Sequence, residues 1–143
     1  MDGYGVGFMT VEADINIPSV PWALVLGDVF IITMVIGIGI WFHGLNPLEN
    51  AARSVLTIGP FVVGWLLVAP IAGVYRSVVR SSLSKTIIVV TIAWFVAAIV
   101  GSGLRSMPFL PGQAPLEFVA VTIGTGLLGL LPWRVATVLV RLQ

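Results

Sequence analysis

Four long apolar runs make up most of this sequence, and between them they carry only two charges. A helix that crosses a bilayer needs about 20 mostly apolar residues, because ~30 Å of hydrocarbon is covered at ~1.5 Å per residue. The runs cover about 20–42, 55–75, 86–104 and 118–140; the first holds Asp28 and the last holds Arg134. They are continuous rather than alternating and twice as long as a barrel strand, so a transmembrane β-barrel is excluded. The composition agrees. Of the 143 residues 58% are hydrophobic and 9% are charged, where an ordinary soluble domain carries roughly 25% charged residues. The expectation is an all-α, integral membrane four-helix bundle with antiparallel up-down topology. Residues 1–19 form a tail and residues 20–143 a single domain. The tail has no Lys or Arg, and its charges are Asp2, Glu12 and Asp14. It therefore lacks the basic start of a secretory signal and reads as a surface segment.

The remaining composition removes whole classes of function. Seven basic against six acidic residues leave no polyelectrolyte partner, so no nucleic acid is expected. One His and no Cys exclude a disulfide framework, thiol catalysis and a Cys/His metal cluster. No nucleophile, base and orienting group can be assembled from such a set, so no enzyme is expected. No cofactor is expected either: Lys85, the only lysine, lies at a span edge, which disfavours a retinal Schiff base.

Orientation follows from Lys and Arg in short loops. With four spans, Arg76, Arg80, Lys85, Arg134 and Arg141 fall on the side of both termini, and Arg53 and Arg105 on the other. Five against two predicts both termini in the cytoplasm, in a multi-pass protein of the cell membrane. On the outer side Asn46, Pro47 and Glu49 read as a helix start, with Glu49 and Arg53 at i,i+4. Pro108, Pro111 and Pro115 keep the second outer loop from being helical throughout. Ser82 or Ser84 can cap the third span. Small residues spaced by four mark contact faces: Ala93, Ala97 and Gly101; Ala120 and Gly124; Thr125 and Gly129; Ala69 and Gly73; Thr33 and Gly37. Such faces suit a four-helix bundle, and one of them suits a homodimer seam or a membrane-protein partner.

The two charges within the runs carry the most information, because an intramembrane charge is costly unless it is paired, wet or near an interface. Asp28 lies eight residues in from Val20, roughly 12 Å, and Arg134 six residues in from Val140, roughly 9 Å. The first and fourth spans run antiparallel, so the two charges reach one level and are expected to pair. Pro70, which leaves the carbonyl of Leu66 without its donor, and Thr91 lie at similar depth and are assigned to the same polar layer, as is Pro132. An alternative ends the fourth span at Pro132 and lays the rest on the surface as a basic amphipathic helix. At the outer end His43, Glu49, Arg53, Arg105 and Glu117 form a second candidate cluster. A surface ion pair of Arg105 with Glu117 is its default content, and a metal held by one His and dispersed carboxylates is a weak alternative. Trp22 and Trp41 suit an aromatic belt, whereas Trp65 and Trp94 lie deeper and suit packing.

Several short motifs occur in order: Gly27-Asp28, His43, Gly59-Pro60-Phe61 with Gly64-Trp65, Trp94, Gly103-Leu104-Arg105, and Phe118 with Trp133-Arg134. In order and spacing they resemble the prokaryotic membrane family catalogued as domain of unknown function 3054, common in haloarchaea and actinobacteria. The resemblance covers roughly residues 20–139. It implies a four-helix integral membrane protein of unassigned activity. Members often carry a basic residue shortly before the His, where this chain has Ile40-Trp41-Phe42. The reading of function is a structural or accessory component of a membrane complex. The alternative is a small transporter or channel that uses the polar layer around Asp28 and Arg134.

Overall fold

The computed structural model describes residues 21–110 and 112–141; the expected N-terminal tail lies outside them. The elements are α1 (Trp22–Phe42), α2 (Ala51–Ile71), the single turn α3 (Ser77–Arg80), α4 (Leu83–Arg105) and α5 (Leu116–Arg141). The four long helices are each long and apolar enough to cross a membrane. They pack as a ring, α1 against α2, α2 against α4, α4 against α5 and α5 against α1, with the α2–α4 seam the most extensive. Their outward faces are as apolar as their inward ones: Leu26, Phe30, Ile88, Ile92 and Leu128 are all exposed. A helix apolar all round is at home in lipid rather than at a water interface.

α2 ends earlier than expected. The sequence reading carries it to Tyr75, but Gly73 adopts φ +76° and stops the helix. The Val74 N–H donates to the Ala69 carbonyl at 3.0 Å, and the Gly73 N–H to the Pro70 carbonyl at 3.1 Å. This is a Schellman stop, which favours glycine at the left-handed position. The helix start moves too. Asn46 caps a turn, accepting from the Leu48 N–H at 3.0 Å and donating to Glu49 at 2.9 Å. Regular helix follows only at Ala51. Ser82 occupies the N-cap position of α4, but its side chain makes no capping bond. α5 runs unbroken through Pro132 to Arg141, so the alternative with a surface helix after Pro132 does not hold.

The core is built on α2 and α4. The indoles of Trp65 and Trp94 are fully buried and lie 6.0 Å apart, tilted by 59°. The Ala93, Ala97 and Gly101 stripe brings α4 against α2. A Cβ on Gly64 would stand 2.6 Å from the Ala97 carbonyl oxygen, and one on Gly101 would stand 3.0 Å from Phe61 Cα. Backbone fills both places, so only glycine fits, in the manner of close-packed membrane helices. By contrast, Ala120 is exposed and nothing lies within 4 Å of a Cβ on Gly124, so that stripe faces outward.

Candidate functional site

Asp28 and Arg134 meet in the half of the bundle nearest Pro21 and Arg141. Asp28 lies seven residues after Pro21 and Arg134 seven before Arg141, each roughly 10 Å along its helix. The two are completely or almost completely buried, with 0% and 2% of their surface exposed. The pairing is bidentate: Arg134 Nε donates to Asp28 Oδ1 at 2.8 Å, and Nη2 donates to Oδ2. Three more donors complete the carboxylate. Trp133 Nε1 reaches Oδ1 at 3.1 Å; Trp65 Nε1 and the Tyr75 hydroxyl reach Oδ2 at 3.2 and 2.8 Å. The Arg134 guanidinium also lies over the Tyr75 ring, 5.0 Å from its centroid. A planar guanidinium matches a carboxylate in this fork geometry, which a lysine does not.

Each donor has a structural cause. Trp133 comes from α5 and lies on the backbone of Gly27, where a Cβ would stand 2.1 Å from its ring. Tyr75 can turn back to Asp28 because Gly73 has ended α2 before it. Its hydroxyl pKa is pushed above the usual 10.0, by burial first and then by the Asp28 carboxylate. On α3, Arg80 is held below its ordinary value, by burial first and then by the charges of Arg141 and Arg134. Trp65, Tyr75 and Trp133 lie outside the site expected from the sequence. The usable signals were the glycine beside Asp28, the tryptophan beside Arg134 and the helix stop at Gly73.

Thr91 and Pro70 do not belong to the cluster, which corrects the expected polar layer. α4 stands diagonally across the ring from α1, so depth alone does not bring Thr91 to Asp28. Pro70 is on the exposed side of the last turn of α2 and Pro132 on the exposed side of α5.

The outer residues separate into two groups. His43, Arg53 and Arg105 line a cavity of about 600 Å³. Glu49 bonds to Asn46, and Glu117 is exposed at the start of α5. The expected ion pair of Arg105 with Glu117 does not form among the described residues. Instead Arg105 Nε points at the Gln113 carbonyl at 3.4 Å, and the guanidinium lies over the Phe118 ring, 5.1 Å from its centroid. Gly112 and Gln113 of the loop that follows α4 stand against the Arg105 guanidinium. Among the described residues no group of three potential metal ligands occurs.

At the floor of the cavity, which Val35 and Gly129 line, Val35 and Ile31 of α1 press on Gly129, whose Cβ position lies 2.7 and 2.9 Å from their methyl groups. Buried Ile32 and Leu130 sit at this level. Arg134 follows Gly129 by five residues, so the closed layer between cavity and ion pair is roughly 7 Å thick.

No curated protein and no solved structure matches this chain. The family described as "Protein of unknown function (DUF3054)" matches residues 25–137, which takes in Asp28, Trp65, Tyr75, Trp133 and Arg134 as well as the cavity's arginines. This four-helix membrane bundle belongs to the DUF3054 family.

Proposed function

We propose that this protein is a structural or accessory component of a membrane complex, with no enzymatic role. The observation that carries the reading is the state of Asp28. Its two oxygens accept five bonds, from Arg134 twice and from Trp65, Tyr75 and Trp133. A carboxylate that carries protons or ions must exchange partners with water during turnover. This one is fully buried and fully occupied, and it joins α1, α2, α5 and the loop after α2 at one point. Such a group acts as a clasp that fixes how the helices pack. The excess of Lys and Arg at the Arg141 end supports a cytoplasmic placement of both termini in a prokaryotic cell membrane. The outward Ala120 and Gly124 face suits a partner helix or a second copy.

A second reading, a small transporter or channel, is favoured by the cavity. It opens at the His43 end and stops above the clasp, as one half of an access path would. The test for both is proton and ion flux in proteoliposomes, for wild type and Asp28→Asn, beside a mild-detergent pull-down. The structural reading expects no flux in either protein and a stoichiometric partner. Flux that disappears in Asp28→Asn would overturn it.

A further inference from the structure

The cavity between α1, α2 and α5 has a cationic mouth and an apolar body. At the mouth stand Arg53 and Arg105, with His43 beside them. Among the described residues no Asp or Glu lines it. Arg105 Nη1 has no hydrogen-bond partner among the described residues and is closed off from solvent, so an anion at the mouth would meet the other nitrogens of this guanidinium. A buried guanidinium nitrogen left unbonded is costly, and native proteins rarely leave one so. Its Nε is only weakly engaged, at 3.4 Å from Gln113. Two guanidiniums on one cavity without a counter-charge call for an anion, and they suit the forked oxygens of a phosphate or carboxylate.

Beyond the mouth the lining is mostly apolar and reaches Leu128 and Gly129 on α5 and Gly39 on α1; of its threonines, Thr57 and Thr125 donate their hydroxyls to the Arg53 and Val121 carbonyls of their own helices. Leu128 and Val121, both on this wall, are 77% and 62% exposed. The body is therefore continuous with the bilayer side of α5 and accessible from lipid. Its volume of about 600 Å³ falls within the range of ~300–1,000 Å³ typical of small-molecule sites. A free inorganic anion would leave the body empty, and an uncharged lipid would leave the arginines unmatched.

We propose that this cavity binds one anionic membrane lipid from the leaflet on the His43 side. Its phosphate sits on Arg105 and Arg53, and one acyl chain lies along Gly39 towards Gly129. The assignment is independent of whether the Asp28 clasp serves a scaffold or a transporter.

The test uses the full chain, delipidated in dodecyl maltoside, and measures binding of dioleoyl phosphatidylglycerol by native mass spectrometry and by calorimetry. Competing arms use dioleoyl phosphatidylcholine, oleate and inorganic phosphate. Two variants separate head from chain. Arg105→Gln removes the charge-assisted bonds at the mouth, and Gly39→Leu fills the body where nothing lies within 4 Å of the glycine. The expected result is one phosphatidylglycerol per chain. Affinity falls about tenfold or more in Arg105→Gln and by a similar factor in Gly39→Leu, with both lipid-free variants still folding cooperatively and the lipid-free Gly39→Leu protein melting no lower than wild type. Phosphatidylcholine and phosphate compete weakly. Equal binding of phosphatidylcholine, or full affinity in either variant, would overturn the proposal. Tighter binding of oleate would replace the lipid with a free fatty acid and overturn the stated occupant. Phosphate competing as well as the lipid would reduce the site to an anion site.

Discussion

Truncating Asp28 and Arg134 singly and together tests whether they act as one unit. Asp28→Ala leaves the Arg134 guanidinium buried with no counter-charge, and it strands the indole N–H groups of Trp65 and Trp133 and the Tyr75 hydroxyl. Breaking a buried pair from one side costs ~3–5 kcal/mol, and each stranded neutral donor adds about 1 kcal/mol or more. Asp28→Ala should therefore destabilise by roughly 6 kcal/mol in all. Arg134→Ala leaves the carboxylate three donors, so it should cost less, about 3–4 kcal/mol. In the double variant neither charge is stranded. Its cost should fall below the sum of the singles by about 3 kcal/mol, a coupling within the range for contacting residues. The assay is reversible unfolding in mixed micelles, followed by tryptophan fluorescence and helical circular dichroism. Additive costs, or an Asp28→Ala protein as stable as wild type, would refute the claim that the pair holds the bundle.

Two other perturbations follow from the packing. Gly101→Ala should cost about 1–3 kcal/mol, because its methyl meets the Phe61 backbone at 3.0 Å. Gly103→Ala, two residues on with nothing within 4 Å, should instead stabilise by a few tenths to ~1 kcal/mol through helix propensity; thermal melts of the pair check the contrast. Tyr75 supplies the pH dependence. Its folded pKa is raised above 10.0, so the bundle keeps the phenol proton after an unfolded chain has lost it. This stabilisation is complete below pH 10 and declines as pH climbs beyond it. In a Tyr4→Phe background, tyrosinate absorbance should appear only as the protein unfolds, and ordinary titration near pH 10 in the folded state would contradict the buried hydrogen bond.

The architecture was readable because lipid imposes long apolar helices and the short connections impose antiparallel order. The meeting of Asp28 and Arg134 was readable for a related reason: residue counts give depth, and depth with opposite sign gives a pair. Azimuth is what counting does not give. Thr91 lies at a suitable depth but on α4, diagonal to α1, and Pro70 points outward. Which helices are neighbours depends on side-chain fit, such as Gly64 against Ala97, and no periodicity encodes that. Trp65, Tyr75 and Trp133 escaped for local reasons. A tryptophan in an apolar run reads as packing, and Tyr75 reads as the last helical residue until the Gly73 stop is recognised. At the other end, Glu117 beside Arg105 in the loop order reads as an ion pair. In the structure Arg105 meets the Gln113 carbonyl and the Phe118 ring instead.

The central claim is that the bundle is closed around Asp28 and open at the His43 end, and thiol accessibility tests it most directly. The chain has no cysteine, so single cysteines can be placed at Thr57 and Thr125 in the cavity wall, and at Val74 and Val138, which are 0% and 2% exposed beside the clasp. In oriented vesicles a small charged methanethiosulfonate should label Thr57→Cys and Thr125→Cys from the His43 side and leave Val74→Cys and Val138→Cys unlabelled from either side. Rapid labelling of Val138→Cys from the Arg141 side would show water at the ion pair and contradict the closed clasp.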